Sequence, residues 1–237
     1  MTSLLITLLH RPYVFLFLIS FLIIGILNRG IGRTFLFLFL GFWIAWISEY
    51  SSIRNGFPYG WYHYLYQNMP GEIMLGGVPL WDSLSYTFLA YAAYEMACFY
   101  LPPSRGKARM GGATFLMLAL DIVADPLAVQ GDKWFLGKIF YYENPGFYFG
   151  VPLSNFAGWL LVALCIFSSY AFLEKKLFYS QEPKKYIFLG PLFYGGIVAF
   201  NLIITFWIGE IFLGLIGIIL QGLSFLILNH FHHKKEP

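Results

Sequence analysis

Asp121 and Asp125 stand four residues apart at the end of an apolar segment, and Pro126 follows directly. That spacing puts both carboxyl groups on one helix face, and the proline predicts that the helix stops there. Glu49 ends an earlier apolar run, while Asp82 and Asn155 lie just inside the starts of two others. Acids held together in a poorly solvated place do not all ionise, which leaves a neutral acid beside an ionised base. Such a pair performs proton transfer: one carboxyl gives a proton and the other takes one. Helix capping and cross-helix hydrogen bonding use the same residue types, and Asp125 in particular suits a local turn. The convergence of Glu49, Asp82, Asp121 and Asp125 on one side of a bilayer is what favours chemistry, because ionisable groups in spans face a cavity or one another.

Aromatic residues crowd the same side, among them Trp43, Trp46, Tyr59, Trp61, Tyr62, Trp81, Tyr86, Trp134 and Trp159. An aromatic wall stabilises a developing cation and holds a long apolar molecule, although single members equally suit an interfacial belt. We read Trp61, Tyr62, Trp81, Tyr86, Trp134, Asn155 and Trp159 as the substrate-binding set. Glu95 lies deeper, toward the other end of its helix, where it could pair with a polar group on a neighbour. His63 reads as a loop hydrogen-bonder, Asn201 as a residue that orients a carboxylate or joins helices, and His230, His232 and His233 as part of a solvated tail with Lys234 and Lys235. Cys98 and Cys165 sit in separate apolar segments and read as packing residues. The sequence contains no Gly-rich phosphate loop, nucleophile elbow or paired-His motif, so no metal site or nucleotide-driven step is predicted.

The elements that position these residues are membrane helices. Hydrophobic residues make up 59% of the 237 and charged residues 11%, far from the quarter usual in soluble domains. No basic patch with interleaved aromatics points to nucleic acid. Runs of about 20 mostly apolar residues fall at 12–28, 34–51, 78–101, 110–124, 152–173, 186–207 and 211–229. The first is read as an uncleaved helix, since no small-residue cleavage site follows it. The expected fold is an all-α, polytopic membrane bundle of about seven helices, forming one integral membrane domain over residues 1–237.

Charge supports that count. With seven spans, Arg29, Arg33, Arg105, Lys107, Arg109, Lys175, Lys176, Lys184, Lys185, Lys234 and Lys235 fall on one side, and Arg11, Arg54, Lys133 and Lys138 on the other. The positive-inside rule then places the C-terminus in the cytoplasm and the N-terminus outside, in the inner membrane. The long loops at 52–77 and 126–151 lie on the outer side. They carry an internal repeat at an offset of 73 residues: Trp61 matches Trp134, Gly77-Val78-Pro79-Leu80 matches Gly150-Val151-Pro152-Leu153, Asp82 matches Asn155, and Tyr86 matches Trp159. The repeat units span about 34–101 and 110–173. Each holds two helices, so the copies share one orientation, an arrangement that places a site at their interface. Pro79 and Pro152 suit first-turn positions, where a missing N–H is not needed.

Glu49, Gly56-Phe57-Pro58-Tyr59-Gly60-Trp61-Tyr62, the two Gly-Val-Pro-Leu motifs, the 121–126 segment, and Ser154-Asn155 with Gly158-Trp159 together resemble the membrane carotenoid-biosynthesis family. That family contains the CruF-type carotenoid 1,2-hydratases and the bisanhydrobacterioruberin hydratases. The resemblance runs from Leu36 to the last span and implies an enzyme that adds water to the terminal double bond of a linear carotenoid. It also implies contact with other membrane enzymes of that pathway. The paired-helix repeat is similar, too, to the small membrane lycopene cyclases, which act on the same end group; a carotenoid-binding or transport protein could use the same acids as a relay. Hydration changes no electron count, so no cofactor is expected. In the hydratase reading Asp121 or Asp125 is the acid and Glu49 and Asp82 hold the water, or Glu49 is itself the acid. A topology reporter fused within residues 175–185 is expected to read cytoplasmic; an outside signal would overturn the common-side placement of the acids.

Overall fold

The computed structural model describes residues 3–178 and 186–233, the last two by backbone alone. Lys184, Lys185, Lys234 and Lys235, and the side chains of His232 and His233, lie outside the described residues. A short helix α1 (Ser3–His10) precedes α2 (Pro12–Asn55). At ~1.5 Å per residue a straight helix of the length of α2 would be about twice the thickness of the hydrocarbon core. It is not straight. Gly30 adopts φ 78, ψ 164, which glycine reaches without a Cβ clash, and the chain doubles back there. The rings of Phe21 and Phe37 consequently meet at 6.3 Å, and a Cβ on Gly25 would come within 2.6 Å of Thr34. The two expected runs at 12–28 and 34–51 are the two arms of this hairpin.

Helix α3 (Leu80–Tyr100) occupies the middle of the bundle, packed by α2, α4 (Gly106–Val129) and α6 (Leu189–Trp207), with α5 (Leu153–Leu177) against α2 and α4, and α7 (Ile211–His233) against α4 and α6. Among the described residues, five helical stretches are long and apolar enough to cross a membrane: Pro12–Asn55, Pro103–Val129, Leu153–Leu177, Leu189–Trp207 and Ile211–Phe231. α3 escapes that criterion because it faces protein instead of lipid. Ala90, Ala92, Ala93 and Ala97 are fully buried, and such small side chains let neighbouring backbones approach. With α2 folded in two, the protein is an all-α membrane bundle in which each of the seven apolar runs falls on its own helix or helix arm.

Pro126 does not end its helix, contrary to expectation: α4 continues to Val129. The proline removes the hydrogen bond that Ile122 O would receive, and the Tyr148 hydroxyl takes its place at 3.2 Å. Pro79 and Pro152 stand one position earlier than expected, as extended residues just before α3 and α5, each two residues after a glycine of positive φ, Gly77 (φ 89) and Gly150 (φ 83). Both Gly-Val-Pro-Leu motifs therefore build the same turn into a helix. α6 starts three residues later than its apolar run, and α5 and α7 run about a turn longer.

The two ends of the bundle differ. At one, Arg29 is buried and pairs with Glu95 of α3 and, at 3.4 Å, with Glu174 of α5, while Arg33 reaches Glu174 at 3.3 Å. Asn28 exchanges two hydrogen bonds of 3.1 Å with the backbone of Tyr186, which ties the α2 turn to the approach to α6. Arg29 and Arg33 are therefore structural, buried against carboxylates, and not free charges of a loop. Arg11 departs in the same way, being 2% exposed and paired with Glu72 at 3.1 Å. Glu95 has its cross-helix partner in Arg29. Removing one member of a buried pair strands the other charge, at roughly 3–5 kcal/mol. Glu95→Ala is accordingly expected to lower the unfolding midpoint of the detergent-solubilised protein markedly, and an unchanged midpoint would refute the structural role of the pair.

Candidate active site

The loop end is closed by a two-stranded antiparallel ribbon of β1 (Tyr62–Tyr64) and β4 (Phe140–Tyr142), one strand from each long loop, in the register Tyr62↔Tyr142, His63↔Tyr141, Tyr64↔Phe140. Strand side chains alternate, so Tyr62, Tyr64, Phe140 and Tyr142 point inward and are buried while His63 and Tyr141 face out. His63 pairs with Glu143 at 3.3 Å across the ribbon, the loop role its sequence suggested. A smaller ribbon joins β2 (Met74–Leu75) to β3 (Val78–Pro79) and leads into α3. Arg11 clamps these parts together: it donates to Leu136 O at 2.6 Å, lies 4.7 Å over the Trp81 ring, and pairs with Glu72, which also accepts from the Trp81 indole N–H.

Beneath the ribbon lies a cavity of about 180 Å³. Glu49, Asp82, Asp125 and Asn155 line it, as do Tyr62, Trp81, Tyr86, Trp134 and Trp159. Of the expected site residues only Asp121 and Trp61 do not. Trp61 is 41% exposed and covers Gly56 on the outside of the first loop. Asp121 sits behind the wall, fully buried, with Oδ2 accepting from Asn155 Nδ2 at 3.0 Å and Oδ1 without a hydrogen-bond partner. Trp43 and Trp46 also lie away from the cavity; Trp43 is 39% exposed, and the Trp46 indole donates to Leu75 O.

Two tyrosines organise the carboxyl groups. Tyr64 Oη lies 3.3 Å from Glu49 Oε2 and closer still to Asp82 Oδ2, so one hydroxyl bridges acids from α2 and α3. Tyr142 donates to Asp125 Oδ2 at 2.6 Å on α4. Burial pushes the Tyr64 phenol well above its ordinary range, with Asp82 and Glu49 adding to the effect, and burial with Asp125 does the same to Tyr142. Both hydroxyls therefore stay protonated near neutrality. Burial also raises Tyr59 and Tyr62, and it lifts Tyr148 to about 12 with a smaller push from Asp121. Tyr59 reaches Ser48 at 2.9 Å, its ring admitted by Gly158, where a Cβ would meet it at 2.5 Å. Tyr86 and Trp159, which correspond at the 73-residue offset, pack against one another at 4.5 Å with their rings tilted by 31°, and the Tyr86 hydroxyl donates to Trp159 O. Asn201 lines the cavity from α6 while its amide bonds its own helix at Ile197 O.

The sequence reading missed Tyr64, Tyr142, Arg11 and Glu72. A signal for the tyrosines existed in Tyr62-His63-Tyr64 and Phe140-Tyr141-Tyr142, where a polar or exposed residue separates two inward rings at strand period. Nothing local marks Arg11 and Glu72 as partners, since they are joined only in space.

An aromatic cavity under a loop ribbon, with carboxyl groups from three helices in its wall, is the candidate site of this membrane bundle. The chain belongs to the family described as carotenoid biosynthesis protein, which it matches over residues 10–224. It is similar to a bisanhydrobacterioruberin hydratase of Haloarcula japonica, 33% identical over 124 residues, a match covering 50% of this chain and 39% of that protein. No solved structure matches the chain.

Asn155 supplies the one hydrogen bond that Asp121 receives. Leaving a buried polar group unpaired costs about 1–3 kcal/mol. Asn155→Leu should therefore lower the unfolding midpoint in detergent, and Asp121→Leu in the same chain should restore much of the loss; absence of that rescue would refute the pairing.

Proposed function

We propose that this protein is a carotenoid hydratase, adding water across the terminal 1,2 double bond of a linear carotenoid without a cofactor. The observation that carries the reading is the Glu49–Tyr64–Asp82 trio in an aromatic cavity. A phenol has one proton; it can donate to one carboxyl and accept from the other only when that other is protonated. The trio thus suits one neutral acid beside one carboxylate, the pairing that alkene hydration needs. The acid proton goes to C2 of the end group and leaves a tertiary cation at C1. Water then bonds to C1 as the carboxylate takes a proton from it. Trp81, Tyr86, Trp134 and Trp159 offer π faces to the cation, and Asp125, held by Tyr142, adds a nearby carboxyl group. Asp121, set behind the wall, supports Asn155 and the α4–α5 contact.

The cavity holds an end group, not a whole polyene about as long as a bilayer is thick. The remainder of the substrate would lie among the helices and lipid, reached sideways from the bilayer. The repeat gives the two units different work in this scheme: the first supplies Glu49, Tyr64 and Asp82, the second Asp125 and Tyr142, with Asn155 where the first has Asp82. Family membership and the hydratase-named relative support the carotenoid class; the family resemblance and the carboxyl geometry support hydration at the 1,2 bond.

Purified protein in detergent, given a linear carotenoid with open end groups, is expected to yield an alcohol heavier by one water per modified end. A ring product of unchanged mass would make the protein a cyclase, and no product would make it a binding or transport protein. Glu49→Gln and Asp82→Asn are each expected to reduce turnover by at least about 100-fold, whereas Asp121→Asn should stay within about tenfold of the parent. Full activity in both of the first two variants would refute the acid–base assignment.

A further inference from the structure

Hydration of an alkene leaves its catalyst with protons in the wrong places. The acid has given its proton to carbon, and the base holds one taken from water, so a second turnover requires a proton to pass from base to acid. Glu49 is 6% exposed beneath the β1–β4 ribbon, and Asp82 is half-buried in the cavity wall. Among the described residues Tyr64 is the one hydroxyl that touches both carboxyl groups, at 3.3 Å from Glu49 and in a shorter contact with Asp82.

We propose that Tyr64 is a proton relay that returns the proton from Asp82 to Glu49 after each hydration. The inference rests on the hydratase reading with Glu49 as acid and Asp82 as base. Before reaction the Glu49 carboxyl donates to Tyr64 Oη, and the Tyr64 O–H donates to the Asp82 carboxylate. During reaction Glu49 loses its proton to C2 of the alkene, and Asp82 gains one from the water that bonds to C1. Resetting moves the Tyr64 proton to Glu49 and the Asp82 proton to Tyr64. Both O–H bonds break and both re-form, Tyr64 ends as it began, and the net reaction consumes alkene and one water.

Other contacts fit this role. The phenol stays neutral because burial and the two carboxyl groups oppose its ionisation, so it passes protons on without accumulating as phenolate. Its position is held by the ladder, where Tyr64 pairs with Phe140, and by edge contact with the Tyr62 ring at 5.4 Å. Tyr142 sits on the same ribbon but reaches one carboxyl group, Asp125, and so has no second acid to serve. The two tyrosines make an internal comparison between bridging and holding.

The test separates the first turnover from those that follow. With protein in excess over a linear carotenoid, Tyr64→Phe is expected to form alcohol within about threefold of the parent rate, because Glu49 starts protonated. With substrate in excess, the same variant should give a burst of one equivalent and then slow by about 10- to 100-fold, in the range of general acid–base contributions. Tyr142→Phe should change both regimes alike, with no burst. Equal slowing of both regimes in Tyr64→Phe would reduce Tyr64 to a positioning residue, and no slowing in either would exclude it from the reaction. If the phenylalanine variant does not fold, Tyr64→His answers the same question. Imidazole can pass a proton between its nitrogens only when neutral, so sustained turnover should fall as pH drops through about 6.5; a pH-independent loss overturns the relay. Failure of the parent protein to make alcohol would instead sink the hydratase reading itself.

Discussion

A carboxyl group inside a membrane bundle must find its hydrogen-bond donors within the protein, because neither lipid nor bulk water supplies them. The rest of this structure is arranged around that constraint. Glu49 and Asp82 share Tyr64, Asp125 has Tyr142, Asp121 has Asn155, Glu72 has Arg11 and Trp81, and Glu95 has Arg29. Most of these contacts join different helices or a helix to a loop, and Arg11 with Glu72 joins the α1–α2 connection to the first long loop. Satisfying the acids and assembling the bundle are one process.

The pairs fall into two kinds according to their partners. Arg29 with Glu95 and Glu174, and Arg11 with Glu72, neutralise full charges by full charges, and these sites are closed. The cavity acids Glu49, Asp82 and Asp125 are met by phenols, and Asp121 behind the wall by an amide, none of which carries a full charge. A bundle that wanted only stability would use guanidinium groups at both places, or apolar residues, since a buried ion pair seldom outperforms good packing. A phenol donates and accepts through one oxygen, the property that the proposed proton transfer would use.

The ribbon of β1 and β4 explains how loops can hold such a site accurately. Each strand is three residues long, too short to be stable alone in water. It is held from below by rings of Tyr62, Tyr64, Phe140 and Tyr142, which contact one another at 5.4 to 6.0 Å, and at its side by the Arg11 clamp on Leu136. Tyr64 and Tyr142, the phenols that reach the acids, are thus positioned by the rings of their own ribbon.

Composition and the spacing of apolar runs determined the membrane class, the seven helical runs and the end of the bundle where Glu49, Asp82, Asp121 and Asp125 collect, because burial in lipid imposes a length that any sequence must display. They also marked Glu49, Asp82, Asp125 and Asn155, since a polar residue in an apolar run is conspicuous. Tertiary structure decided the remainder. The hairpin at Gly30 depends on one backbone conformation, and the passage of α4 through Pro126 depends on a hydroxyl twenty-two residues further along the chain. Asp121 and Asp125 share a helix face, yet one lines the cavity and the other lies behind it, because α5 brings Asn155 against Asp121. Tyr64 and Tyr142 gained their partners only when strands from two distant loops paired. Hydrogen bonds between residues far apart in the chain leave no local pattern, and that is why a sequence so plain about its membrane helices was silent about the tyrosines on which its acids depend.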